Sequence, residues 1–80
     1  MLINKNLIDL LKLMKQRRIS RKSQKIYKST LGYFIAMRYL REKGLVQEDG
    51  IEDREKYWTL SEKGKKLVKL IEEVEKILGV

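Results

Sequence analysis

The apolar positions of this chain change period several times, and each change marks an element. Leu7, Leu10, Leu11 and Met14 recur at spacings of three and four, with Ile3 one turn earlier, while Lys5, Asp9, Lys12 and Lys15 fall between them. One apolar stripe on a period of 3.6 predicts an amphipathic helix over residues 4–16. Ser20 can cap a short second helix over 21–28, with Ile19 and Ile26 as its core contacts. Ser29 or Thr30 then opens a third helix reaching residue 43, with Tyr33, Ala36, Met37 and Leu40 as its buried stripe. Gly44 suits the left-handed residue that closes a helix, and Leu45 can fold back as the apolar cap contact.

Beyond Leu45 the period shortens. Residues 46–48 begin a strand, Asp49-Gly50 and the charged residues after them form a loop, and 56–60 return. Alternation puts Tyr57 and Thr59 on one face of the return strand and Trp58 and Leu60 on the other. Trp58, the only tryptophan, is assigned to the core. Ser61 then marks a strand-to-helix switch, since its hydroxyl can accept a free N–H of a first turn. The helix it opens, 62–78, carries Leu67, Leu70, Val74 and Ile77 at heptad-like spacing, with Val68, Ile71 and Leu78 beside them. That stripe is wide enough to cover the domain's own core and also pair with a symmetry mate. The fold class is mainly α with a small β-hairpin (α+β), in the order α-α-α-β-β-α. It divides a single domain, 1–80, into a three-helix core (4–43), a hairpin (45–60) and a C-terminal helix (62–78).

Eighty residues bury too little surface to be very stable alone, which favours oligomerisation. The chain has no Cys and no His, so disulfides are excluded and the commonest metal ligand is missing. No metal site, cofactor or small-molecule effector is evident. No apolar run is long enough to span a bilayer, no secretory signal is legible, and the cytoplasm is the expected compartment.

Charge sharpens the picture. The net charge is +8, but residues 1–45 hold twelve basic and two acidic side chains, while 46–80 hold seven basic and nine acidic. Lys15, Arg17, Arg18, Arg21, Lys22, Lys25 and Lys28 follow one another without an acid. A block of one sign in a folded region focuses its field on polyanions, and phosphate is the expected target.

The stretch Tyr39-Leu40-Arg41-Glu42-Lys43-Gly44-Leu45-Val46, then Glu52-Asp53-Arg54-Glu55-Lys56-Tyr57-Trp58-Thr59-Leu60-Ser61-Glu62-Lys63-Gly64, resembles the winged-helix domains of MarR- and PadR-type transcriptional regulators. The likeness runs over residues 19–70. The small size and immediate C-terminal helix also resemble archaeal winged-helix DNA-binding proteins that dimerise through a terminal coiled coil. The resemblance implies a winged helix-turn-helix that binds double-stranded DNA as a homodimer. Its third helix would enter the major groove, with Ser29, Thr30 and Leu31 at base edges and Phe34 and Arg38 following on the same side. Arg17, Arg18, Arg21, Lys22, Lys25 and Lys28 would serve the phosphates. Arg54, at the wing tip, matches an arginine that enters the minor groove, supported by Lys56. Leu67, Leu70, Ile71, Val74, Ile77 and Leu78 would form the dimer interface.

Two features depart from that pattern. Leu31, Phe34 and Ile35 stand where a base reader usually carries amides or arginines. Phe34 can touch a thymine methyl or pack against the second or C-terminal helix, and burial is favoured. In the wing, Glu48, Asp49, Glu52, Asp53 and Glu55 outnumber Arg54 and Lys56, which makes its approach to phosphate partly repulsive. A low-specificity chromatin or architectural binder and a winged-helix protein–protein adaptor are the alternatives. RNA binding through Tyr27, Tyr33 and Tyr39 is weaker, because on helices these are more simply core or rim residues. Catalysis is not expected: there is no Gly-rich phosphate loop, and nothing buries a lysine beside Ser20, Ser23 or Ser29.

Overall fold

Three side-chain oxygens start the three helices. In the computed structural model, which describes residues 4–79, Asn4, Ser29 and Ser61 each accept a hydrogen bond from the backbone N–H three residues on, at 2.9, 2.9 and 3.1 Å. Each satisfies a donor that a first helical turn leaves bare. The helices are α1 (Lys5–Gln16), α2 (Thr30–Glu42) and α3 (Glu62–Leu78), with strands β1 (Val46–Glu52) and β2 (Glu55–Leu60) between the last two. The fold is a winged helix, mainly α with one antiparallel hairpin. Ile3, placed one turn before the α1 stripe, lies outside the described residues.

The predicted helix over 21–28 does not form; the segment is a series of turns, and the observed order is α-α-β-β-α. Its polar side chains take the backbone groups a helix would need. The Ser20 N–H donates to the Ser23 hydroxyl at 2.8 Å, and the Ser23 N–H to the Ser20 hydroxyl at 3.3 Å. The buried Gln24 amide donates to the carbonyls of Arg21 and Tyr27 at 3.1 and 2.9 Å, and its oxygen accepts from the Tyr27 N–H at 2.8 Å. Ser and Gln side chains used this way compete with helical hydrogen bonding. Arg21, Lys25 and Lys28, at spacings of four and three, would also repel one another on a helix face.

Ile19 is buried as expected, but as a strand rather than a helix residue. It exchanges two backbone hydrogen bonds with Trp58, at 2.9 and 2.8 Å, and so adds a single bridge to the hairpin. Trp58 and Leu60 face the core from β2, where they meet Leu7, Leu10, Leu11 and Met14 of α1, Tyr33, Ala36, Met37 and Leu40 of α2, and Val68 of α3. Ile26 packs against this cluster from outside.

The end of α2 follows the sequence closely. Gly44 adopts φ 70°, its N–H donates to the Arg41 carbonyl at 3.0 Å, and the Leu45 N–H reaches the Leu40 carbonyl at 2.9 Å. This pair of bonds caps the free carbonyls of the last turn. In β1, Asp49-Gly50 is not the loop. Both residues oppose Tyr57 alone and form a bulge inside a longer strand, with Gly50 at φ 89°. The chain turns instead at Asp53 and Arg54, which have φ 50° and 65°. Two consecutive left-handed residues suit the twist of a tight hairpin.

Against α1, α3 is fixed by ion pairs, Lys12 with Glu75 at 2.8 Å and Lys15 with Glu72 at 2.7 Å. The hydrogen bond that Lys12 donates to the Glu75 carboxylate is the main cause of its raised pKa. At its other end, the Ser61 hydroxyl donates to the Gly44 carbonyl at 2.6 Å and the Ser61 N–H to the Leu45 carbonyl at 3.0 Å. Gly64 then passes so close that a Cβ there would collide with the Leu45 carbonyl oxygen. No helix among the described residues is long and apolar enough to cross a membrane.

Candidate nucleic-acid interface

The turns of residues 21–28 deliver the basic block to the N-terminus of α2. Arg21, Lys22, Lys25 and Lys28 line a shallow groove of about 430 Å³ with Ser29 and Thr30. The Lys22 N–H donates to the Glu55 carboxylate at 3.0 Å, so the turn is tied to the start of β2. A second cleft, of about 280 Å³, lies between α2 and the wing; Arg21, Phe34, Arg38, Arg54 and Lys56 line it together. Arg21 is common to both. Ten sequence-predicted positions therefore meet on one side of the molecule.

Their electrostatic states differ. Arg21, Lys22, Lys25, Lys28 and Arg54 make no side-chain ion pair among the described residues, whereas Arg38 pairs with Glu42 at 3.0 Å and Lys56 with Glu48 at 3.2 Å. The five unpaired cations are free to neutralise an external anion. Phe34 is not buried: it is 55% exposed, its ring edge-on to Tyr33 at 5.4 Å. The inner side of α2 is filled by Tyr33, Ala36, Met37 and Leu40, whose 3.6 period leaves position 34 outside. Ser29 spends its acceptor on the Gly32 N–H, while Thr30 is exposed.

Two candidates sit elsewhere. Arg17 turns back to donate to the Ser23 carbonyl at 2.8 Å and Ser23 Oγ at 3.4 Å. Arg18 serves the wing from inside: it pairs with Glu52 at 2.7 Å, donates to the Asp49 carbonyl at 3.0 Å, and stacks 4.2 Å from the Tyr57 ring centroid. The hydrogen bond with Glu52 is the main cause of its raised pKa. The expected dimer residues divide as well. Leu67 and Ile71 pack partly on the domain's own core, while Leu70, Val74, Ile77 and Leu78 are exposed.

Sequence reasoning missed Arg41, which lines the α2–wing cleft with its guanidinium over the Trp58 ring at 5.7 Å. Its spacing of three from Arg38 was the available signal. It also missed a cleft of about 480 Å³ between α1, β2 and α3, floored by Met14, Leu60 and Val68. Those residues come from three distant segments, and no local pattern reveals a space between them. Among the described residues no group of three acidic or metal-ligating side chains is placed to hold a metal ion.

An apolar three-helix core, a bulged two-stranded wing and a basic turn before the second helix define the winged helix-turn-helix class. The sequence profile of that family, described as winged helix-turn-helix, matches residues 3–79, and the chain belongs to it. Among solved structures, the adhesin competence repressor (AdcR) of Streptococcus pyogenes has a similar fold, with a TM-score of 0.74 at 18% identity over 96% of this chain. This chain spans 61% of the repressor's length. Comparison with curated proteins returned no match.

Proposed function

We propose that this domain binds double-stranded DNA and acts as a homodimeric transcriptional regulator. The N-terminal half of α2 enters the major groove, and Arg21, Lys22, Lys25 and Lys28 hold the flanking phosphates. Arg54 approaches the adjacent minor groove from the wing tip. The observation that carries this reading is the set of cations that line the two clefts beside α2 and make no ion pair among the described residues: Arg21, Lys22, Lys25, Lys28, Arg41 and Arg54. Backbone neutralisation of this kind releases counterions and supplies most of the affinity. The wing's acidity is moderated because Arg18 and Lys56 engage Glu52 and Glu48. A protein named as a repressor shares the fold, which supports the regulatory reading.

Dimerisation is assigned to α3, where Leu70, Val74, Ile77 and Leu78 are exposed beside the partly buried Leu67 and Ile71. With two copies of α2 related by a two-fold axis, the site is an inverted repeat with half-sites about one helical turn apart. Promoter occlusion is then the regulatory step. A second reading, a low-specificity architectural binder, is favoured by the apolar outer side of α2.

Fluorescence anisotropy of the protein with a labelled random-sequence duplex at about 50 and 200 mM salt tests the proposal. Binding that collapses with salt is expected, with a log–log slope near −7 if two subunits neutralise about eight phosphates. Replacing Arg21, Lys22 and Lys25 by Ala should weaken binding to all sequences and flatten that slope. No binding at low salt by the folded protein would reject DNA as the ligand and favour the adaptor alternative. Selection from a random pool then separates regulator from architectural protein by whether one sequence emerges.

A further inference from the structure

We propose that α2 recognises the C5-methyl groups of pyrimidines, thymine above all, instead of the hydrogen-bonding edges of bases; this rests on the DNA-binding reading above. Leu31, Phe34 and Ile35 are 70%, 55% and 58% exposed on the outer side of the helix's N-terminal half. Spacings of three and four put them on one face, directed away from the core.

The polar groups of the same turns leave little else to read with. The Ser29 hydroxyl accepts from the Gly32 N–H, and Gly32 has no side chain. From Ser29 to Met37 there is no Asn, Gln, Asp, Glu, Lys or Arg. Thr30 offers one exposed hydroxyl, and the next polar side chain along the face after it is Arg38, paired with Glu42. A surface of this kind has one substantial apolar feature to meet in the major groove, the thymine methyl; the amino, carbonyl and N7 groups of the base edges there call for hydrogen bonds. The exposed Thr30 adds a methyl of its own to the strip.

Charge selects DNA over a protein as the occupant. The strip runs from the Lys25–Lys28 groove at one end to Arg38 and Arg41 at the other, with Arg21 and Arg54 alongside. Cations bordering an apolar strip match a groove floor of bases between two phosphate backbones. The same methyl is carried by 5-methylcytosine, so the chemistry has two sources.

The test is competition anisotropy with the whole chain at low salt, using duplexes of one sequence containing thymine, uracil at the same positions, cytosine or 5-methylcytosine. Uracil should weaken binding about fourfold for each contacted methyl, the value of one buried methyl-sized group. Phe34→Ala should abolish the thymine–uracil difference while leaving the salt slope unchanged, and Leu31→Ala should reduce it. Salt-sensitive binding with equal affinity for thymine and uracil overturns the proposal and leaves DNA binding standing. No binding to any duplex overturns the reading beneath it. A difference that persists in Phe34→Ala reflects duplex shape and overturns the methyl contact. A response to 5-methylcytosine without one to thymine overturns thymine as the target. Dissociation of DNA-free oligomers by Phe34→Ala, read by sedimentation, would assign the face to self-association and overturn the proposal.

Discussion

The Arg18 guanidinium stands 2.7 Å from the Glu52 carboxylate and so joins the exit of α1 to the far end of β1. The same side chain donates to the Asp49 carbonyl within the bulge and lies over the Tyr57 ring. One planar fork thereby holds the bulge, the strand beyond it and the partner strand. Arg18→Ala should leave the helical core folded but speed amide exchange across residues 48–57, measured by hydrogen–deuterium exchange. Arg18→Lys should not restore protection, because an ammonium cannot bond carboxylate and carbonyl and stack at once. Unchanged exchange in both variants would assign the wing's order to strand pairing alone.

Gly64 behaves unlike most helical glycines. Ala normally stabilises a helix interior by about 1 kcal/mol relative to Gly. Here the added Cβ meets the Leu45 carbonyl, so Gly64→Ala should destabilise the domain by about 1–3 kcal/mol in urea denaturation, the range of an overpacked site. A more stable variant would mean that the junction between α2 and α3 yields easily.

Tyr33 supplies a pH dependence. Burial, with a smaller contribution from Glu55, pushes its hydroxyl up to about 12, and the hydroxyl has no hydrogen-bond partner among the described residues. An unfolded tyrosine ionises near 10. Below about pH 10 both states keep the proton and the full stability is present. Between about 10 and 12 the unfolded chain releases it while the folded chain retains it, so stability falls as pH rises. Tyr33→Phe should remove this part of the alkaline loss and cost little at neutral pH, since an unpartnered buried hydroxyl contributes little. Denaturant midpoints of both proteins at about pH 9 and 11 give the comparison.

Leu70 and Val74 are 57% and 54% exposed on α3, off the domain's own core. Replacing both with Lys should give a folded monomer, read by sedimentation velocity with an unchanged far-ultraviolet circular dichroism spectrum. A dimer that survives would put the interface on another face.

Legibility in the sequence followed the range of the forces involved. The cap at Ser61 and the Gly44-Leu45 ending of α2 depend on residues a few positions apart and are legible directly; for α2 the sequence leaves Ser29 or Thr30 as the cap, and Ser29 takes it. Alternation pairs Trp58 with Leu60 on one face of β2, and its being the only tryptophan of a small domain points that face to the core, where both are buried. The helix expected over 21–28 failed because Gln24 and the Ser20–Ser23 pair outcompete it, a contest that helical spacing does not register. Asp49-Gly50 carried a turn signal that the structure uses as a bulge, since Asp53 and Arg54 take the positive-φ positions instead. Arg17 and Arg18 belonged to the basic block by composition, yet their partners lie in three dimensions. The side chains delivered to the face of α2 were largely foreseen; which of them are already engaged was not.

The knot of Gly44, Leu45, Ser61 and Gly64 also has a mechanical meaning. Ser61 there donates to the Gly44 and Leu45 carbonyls, so the joint acts as a fulcrum; together with the Lys12–Glu75 and Lys15–Glu72 pairs farther along, it sets the angle of α3, the lever arm. Seventeen residues at 1.5 Å each make an arm of roughly 25 Å. A tilt of about 10° at the fulcrum would move the far end by about 4 Å, close to the rise of one base pair. If two such arms join a dimer, the separation of the two α2 helices is set by a few atoms around two carbonyls and by two ion pairs, far from any base.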